Sequence, residues 1–153
     1  MGQTLLLTGR PGIGKTTVIK KVATDLGNRA GGFYTEETRS KTGRRVGFRL
    51  VTLTGHEAVM AHVDLHGQSR PRVSRYGVDV EAIDEVGVTA LRRAMASGQV
   101  VVIDEIGKME LFSEAFKTVV KEAVDGEQAV LGTVMSGSRP FVDALRSRKH
   151  VVI

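Results

Sequence analysis

Gly9-Arg10-Pro11-Gly12-Ile13-Gly14-Lys15-Thr16 fits the spacing G-x-x-x-x-G-K-[ST], directly after the apolar run Leu5-Leu6-Leu7 and before a helical pattern. The chemistry of that spacing is phosphate capture. Glycines let successive backbone N–H groups turn toward one point, Lys15 reaches the β- and γ-phosphates of a nucleotide, and the Thr16 hydroxyl is placed to ligate Mg²⁺. The helix that follows adds its positive end. An ordinary Gly-rich turn could share the composition, but the strand–loop–helix context and the Lys-Thr pair weigh against it.

A second cluster completes the chemistry. Val100-Val101-Val102-Ile103-Asp104-Glu105 is four apolar residues followed by two carboxylates, as at the carboxyl end of a central strand beside a phosphate loop. Asp104 would hold Mg²⁺ through water, and Glu105 would reach the water that attacks the γ-phosphate, as general base or water-positioner. In Ile106-Gly107-Lys108-Met109-Glu110-Leu111, Lys108 could neutralise charge on the transferring phosphoryl group, although a surface lysine reads equally well. Thr133 and Ser136, at the end of a neighbouring strand, could bond the γ-phosphate or the attacking water. Arg139 and Arg146 read as solubility or ion-pair residues rather than as a cationic finger. His56, His62, His66 and His150 lack carboxylate or cysteine partners at ligand spacing, so no dedicated metal site is expected of them.

The elements that must position these residues follow from periodicity. Val18, Ile19, Val22, Ala23 and Leu26 keep helical spacing, and Gly27 stands where a helix end favours positive φ. From Gly31 to Val63 short apolar runs are broken by turn residues, predicting an antiparallel meander that decorates a parallel core. Residues 64–74 are polar and aperiodic and read as a mobile surface loop. Helical spacing returns at Ala82, Ile83, Val86, Ala90, Leu91, Ala94 and Met95, ending at Gly98. The run 100–103 reads as a strand buried on both faces. Ser113 caps a helix carrying Phe116, Val119, Val120 and Val124. Ala129 to Val134 is another buried strand, Pro140 opens a short helix through Arg148, and Val151 to Ile153 is a last strand. Strands alternating with helices give an α/β three-layer sandwich, mostly parallel and extended by the meander.

At 153 residues the expectation is one domain, residues 1–153, with a core that needs no staples. With no Cys there is no disulfide framework, Cys-based zinc site or thiol nucleophile. No basic segment precedes a long apolar stretch, and no run approaches membrane-spanning length, so the cytoplasm is the default and a membrane role is not expected. The net charge of +5 calls for an anionic partner, and nucleoside triphosphates suffice. The arginines group at 39–49, 70–75 and 139–148, but aromatics are 5% of the chain with no Trp, which disfavours nucleic acid. A monomer is expected.

Three segments together resemble one family: Gly-Arg-Pro-Gly-Ile-Gly-Lys-Thr-Thr at 9–17, Gly-Phe-Tyr-Thr-Glu-Glu at 32–37 and Asp-Glu-Ile-Gly-Lys-Met-Glu-Leu at 104–111. They are similar to those of the THEP1-type nucleoside triphosphatases, a P-loop NTPase family, and the third segment discriminates. The resemblance implies a RecA-like sheet and slow, Mg²⁺-dependent hydrolysis of ATP, GTP, CTP and UTP with little choice of base. It carries the nucleotide-binding segments onto Gly9 to Thr17 and onto Val101, Val102, Ile103, Asp104, Glu105, Ile106, Gly107 and Lys108. The family's Glu after the strand Asp falls on Glu105; with the residue reading above, the catalytic candidates are Lys15, Glu105 and Lys108 and the metal candidates Thr16 and Asp104. Phe33, Thr35 and Glu37 match the meander motif without a derivable role. Family members usually continue past the final strand, whereas this chain ends at Ile153 in an apolar run, so base contacts and the last strand are in question.

Two other readings share the loop. A nucleotide or small-molecule kinase needs an acceptor pocket and an arginine-bearing lid, and residues 64–76 with Arg70, Arg72 and Arg75 could supply one. A nucleotide-dependent switch or assembly protein would hydrolyse slowly with strong base selectivity and a protein partner.

Overall fold

The computed structural model describes residues 1–67 and 69–153; residue 68, inside the segment expected as a mobile loop, lies outside the described residues. In chain order the elements are β1 (Thr4–Leu7), α1 (Lys15–Leu26), β2 (Ala30–Arg39), β3 (Arg45–Thr52), β4 (Glu57–His62), β5 (Arg72–Val73) and β6 (Tyr76–Val78). They continue with α2 (Val80–Ala82), α3 (Thr89–Ala96), β7 (Val100–Ile106), α4 (Glu114–Asp125), β8 (Val130–Val134), α5 (Pro140–Arg146) and β9 (Val151–Val152). The strands form one sheet in the order β5-β6-β4-β3-β2-β7-β8-β1-β9. From β2 to β9 the pairs are parallel, and from β2 to β5 antiparallel. β8 lies between the phosphate-loop strand β1 and the acid-bearing strand β7, as a RecA-like sheet requires.

The meander does more than decorate the parallel half, because β2 belongs to both. Ala30–Phe33 pair in parallel with Val100–Ile103, while Phe33–Arg39 pair antiparallel with β3. Gly32 makes this possible: its φ is +119°, and a Cβ there would strike the Val102 carbonyl of β7. The expectation of an aperiodic loop over 64–74 is corrected at its end, where Arg72–Val73 pair with Tyr76–Val78 across a turn that places Ser74 at φ 54°. A strand of two residues is too short to display alternation, so periodicity cannot reveal it.

The helix expected from Ala82 onward starts at Asp79, whose carboxylate accepts the Ala82 N–H at 3.1 Å. Between α2 and α3 it widens into a π-helical stretch, Ile83–Val88, where Gly87 faces Phe33 and Leu50. Ser113 caps α4 as its position predicts, accepting the Phe116 N–H at 2.9 Å while its hydroxyl donates to Asp84. α5 stops at Arg146, two residues before the expected end.

Burial alternates along β7 between the two faces of the sheet. Val101 and Ile103 join the larger core with Leu6, Phe33, Phe116 and Leu91, beneath α3 and α4, while Val102 packs with Ile19 of α1 and Ala30. Each such side chain contributes roughly 1.5–3 kcal/mol, and together they hold the carboxyl ends of β1, β7 and β8 side by side.

Candidate functional site

The loop between β1 and α1 takes a conformation that only glycine adopts cheaply at three points, with φ 147° at Gly9, 82° at Gly12 and 106° at Gly14. A Cβ at Gly12 or Gly14 would meet nothing within 4 Å, so the requirement there is conformational rather than steric. α1 begins at Lys15 with no side-chain cap and no acidic residue in its first turn. Its first N–H groups and positive dipole end are left for an anion.

Across β8, the carboxyl end of β7 meets this loop. Thr16 Oγ1 donates to Asp104 Oδ2 at 2.7 Å, and Thr133 Oγ1 donates to Asp104 Oδ1 at 2.5 Å. Asp104 is only 2% exposed, and the Thr35 backbone N–H also faces its carboxylate. Burial pushes the Asp104 carboxyl above the usual range, opposed by the bonds from Thr133 and Thr16 and by the Lys15 charge. Lys15 Nζ donates to the Gly9 carbonyl at 2.5 Å and lies 3.9 Å from Glu105 Oε2. Glu105 is half-buried, and burial raises its pKa, with Lys15 lowering it and Asp104 adding to the rise.

The structure therefore brings together Lys15, Thr16, Asp104, Glu105 and Thr133 from three elements. Asp104 and Thr16 offer hard oxygen donors on the nucleotide side of the loop, which suits Mg²⁺. Among the described residues no group of three or more His, Cys, Asp or Glu could hold a metal ion. That donor set fits a cation which keeps waters and takes its remaining ligands from substrate phosphates.

Several sequence candidates stand apart from this cluster. Lys108 is exposed in the turn after β7, and Ser136 is exposed beyond β8. Arg146 donates to the Met135 carbonyl at 2.7 Å and the Gly137 carbonyl at 3.3 Å, so it holds the β8–α5 loop. Arg139 is exposed at the start of α5. Arg72 donates to the Arg75 carbonyl within the β5–β6 hairpin and to the Leu65 carbonyl outside it, and Arg75 donates to the Arg45 carbonyl of β3, so both arginines hold the hairpin in place. That hairpin lies six strand positions from β1, about 29 Å at ~4.8 Å per strand.

The segment 32–37 acquires roles that its letters did not disclose. Phe33 is wholly buried against Phe116, with ring centroids 6.3 Å apart, and Thr35 turns its N–H to Asp104. Glu36 accepts from Lys20 of α1 at 2.9 Å and from Arg49 of β3 at 2.6 Å, and these two cations hold its pKa down. Glu37 pairs with Arg39 and Arg45. Glu110, which sequence reasoning passed over, is 3% exposed, and burial followed by the Glu105 charge pushes its pKa up to about 8. A glutamate two residues after a surface lysine carries no periodic signal of such burial.

The family described as NTPase matches residues 4–153. The nucleoside-triphosphatase THEP1 of Thermotoga sp. (strain RQ2) is 48% identical over 149 residues, covering 97% of this chain and 83% of its own length. The cancer-related nucleoside-triphosphatase of Homo sapiens is 39% identical over 171 residues, covering 100% of this chain and 87% of its own. The crystal structure of THEP1 from Aquifex aeolicus superposes with a TM-score of 0.86 at 36% identity, covering 99% of this chain and 87% of that one.

Proposed function

The chain belongs to the NTPase family that includes the THEP1 nucleoside triphosphatases, and from that membership we propose that it holds its substrate on Gly9–Thr17 and cleaves the terminal phosphoanhydride by attack of water. The activity itself, hydrolysis of a nucleoside triphosphate, is that of the family. The observation that carries the residue-level reading is the convergence of the loop lysine, the Thr16–Asp104 pair and Glu105 at the ends of adjacent strands.

In this reading Lys15 and the N–H groups of the loop backbone bind the β- and γ-phosphates; Arg10 and Ile13 belong to that loop, and Pro11, which has no N–H, only shapes it. Thr16 and Asp104 would hold Mg²⁺, which neutralises charge on the phosphate oxygens when bound. Thr133 fixes the Asp104 carboxylate by occupying one of its oxygens. Glu105 orients a water and accepts its proton as the new P–O bond forms and the bond to the β,γ-bridging oxygen breaks, leaving nucleoside diphosphate and phosphate. Lys108 is exposed and enters this reading only as a cation that neutralises developing charge.

The loop recognises phosphates and not the base, which supports hydrolysis of ATP, GTP, CTP and UTP alike, and slow turnover is what the family resemblance implies. The substrate is a soluble anion and no helix among the described residues is long and apolar enough to cross a membrane. We further propose that the chain acts as one monomeric domain in the cytoplasm, where nucleoside triphosphates are held.

The test is Mg²⁺-dependent phosphate release from the four nucleotides by wild type, Glu105→Gln and Lys15→Ala. Comparable rates on all four are expected, with kcat down by about 10²-fold or more in Glu105→Gln and nucleotide binding retained. Lys15→Ala is expected to lose binding as well. Nucleotide binding without phosphate release in the wild type would overturn the reading and direct the search to a phosphate acceptor or a protein partner.

A further inference from the structure

Glu110 is a nearly fully buried carboxyl that the reaction as described does not use. Burying such a group costs several kcal/mol unless it is protonated or well bonded, so its surroundings should explain it.

The explanation lies in the sheet. β2 pairs with β7 only as far as Ile103, and the β7–β8 register jumps from Ile103 to Ile106. Asp104 and Glu105 are thus skipped by both ladders, and their backbone groups need other partners. Beyond them the chain turns at Gly107. Leu111 N–H donates to the Gly107 carbonyl at 3.0 Å, Ser113 N–H donates to the Glu110 carbonyl at 3.0 Å, and a 3-10 turn, Glu110–Phe112, brings Glu110 back beneath β7. There the peptide N–H groups of Glu105 and of Glu110 itself face the Glu110 carboxyl. A Cβ on Gly107 would strike the Glu105 carboxylate, so that side chain lies over the glycine.

We propose that Glu110 is a positioning residue for hydrolysis: its buried carboxyl oxygen accepts the Glu105 peptide N–H that the sheet leaves unpaired and so fixes where Glu105 presents its carboxylate. The inference rests on the role given to Glu105 above. Glu110 touches neither nucleotide nor water and acts only through the Glu105 main chain. Gly107 forms the floor, Lys15 faces the carboxylate, and Glu110 anchors the backbone.

The experiment compares wild type, Glu110→Met, Glu110→Gln, Glu105→Gln and the double variant Glu105→Gln/Glu110→Met, measuring kcat and KM for ATP with Mg²⁺ and thermal unfolding. Met fills the same space without an acceptor and takes the place of a carboxyl that is mostly uncharged at neutral pH, so Glu110→Met is expected to fold and to melt somewhat below the wild-type temperature, because the Glu105 N–H is then left unpaired. Its kcat is expected to fall about 10- to 100-fold with KM within about twofold, the signature of a misplaced reacting group rather than lost binding. Gln keeps an acceptor oxygen, so Glu110→Gln is expected within about threefold of wild-type kcat. In the Glu105→Gln background Glu110→Met is expected to add no further loss, because both act on one step.

A wild-type kcat in Glu110→Met, or a full additional loss in the double variant, overturns the positioning role. A fully active Glu105→Gln overturns the hydrolytic reading itself, which separates the two failures. Should Glu110→Met not fold, the Gln variant decides: a large kcat loss there with unchanged melting overturns the claim that an acceptor oxygen suffices.

Discussion

At the scale of single residues, the candidate site is a place where burial works against ionised carboxyls. Asp104 and Glu105 are both pushed upward by desolvation, and the one cation they share is Lys15. A divalent cation bound beside the phosphate loop would relieve that imbalance. Glu110 shows the same effect without that relief. Its folded pKa of about 8 lies above its ordinary 4.5, so the folded chain keeps a proton that the unfolded chain releases. The stability from this group is complete below pH 4.5 and is lost as pH rises through about 8. Denaturation of wild type and Glu110→Gln across that window should show the Gln variant gaining relative stability with pH, by an amount on the order of a few kcal/mol. A difference that stays constant with pH would mean that Glu110 is ionised throughout.

At the scale of elements, two glycines with positive φ separate conformation from contact. Gly12 sits in the phosphate loop with open space where a Cβ would go, whereas at Gly32 a Cβ would strike the carbonyl of the adjacent strand. Gly12→Ala should therefore cost only about 1 kcal/mol of stability while impairing nucleotide binding. Gly32→Ala should cost about 3 kcal/mol or more, because β2 cannot then lie against β7. Thermal unfolding together with nucleotide titration checks both expectations, and equal destabilisation would contradict the assignment. Thr133 offers a finer probe at the end of β8. Thr133→Val keeps the shape but leaves one Asp104 oxygen without its donor. Its expected effect is a loss of Mg²⁺-dependent activity of about 5- to 50-fold with a smaller change in melting temperature.

At the scale of the whole molecule, the site joins parts of the chain that are far apart in sequence, since Thr16 and Asp104 are 88 residues apart and Thr133 and Asp104 29 apart. The folded chain alone presents this arrangement, so a bound nucleotide should stabilise the entire sheet. In Glu105→Gln, which should bind without turning over, nucleotide at about 100 times its Kd is expected to add roughly 3 kcal/mol, seen as a rise in melting temperature. Lys15→Ala should show no such rise. The larger core supports the same unit from behind: Phe116→Ala, at the contact with Phe33, should cost about 3–5 kcal/mol.

The phosphate loop, the acid-bearing strand and the alternation of strand and helix were legible in the sequence because each is a local pattern. Three glycines at fixed spacing, four apolar residues before two acids and a 3.6-residue period all report themselves within a few positions. The resemblance carried by residues 9–17, 32–37 and 104–111 likewise led to the family that the comparisons identify. Tertiary structure decided what local pattern cannot encode. It alone made β2 a member of both halves of the sheet and paired the two-residue strand β5. It set Thr133 against Asp104, left Lys108 exposed and turned Glu110 inward beneath Glu105. The physical reason is that burial and pairing are properties of the neighbours a residue acquires on folding. A glutamate between Met109 and Leu111 has the same letter whether it faces water or the underside of the candidate site.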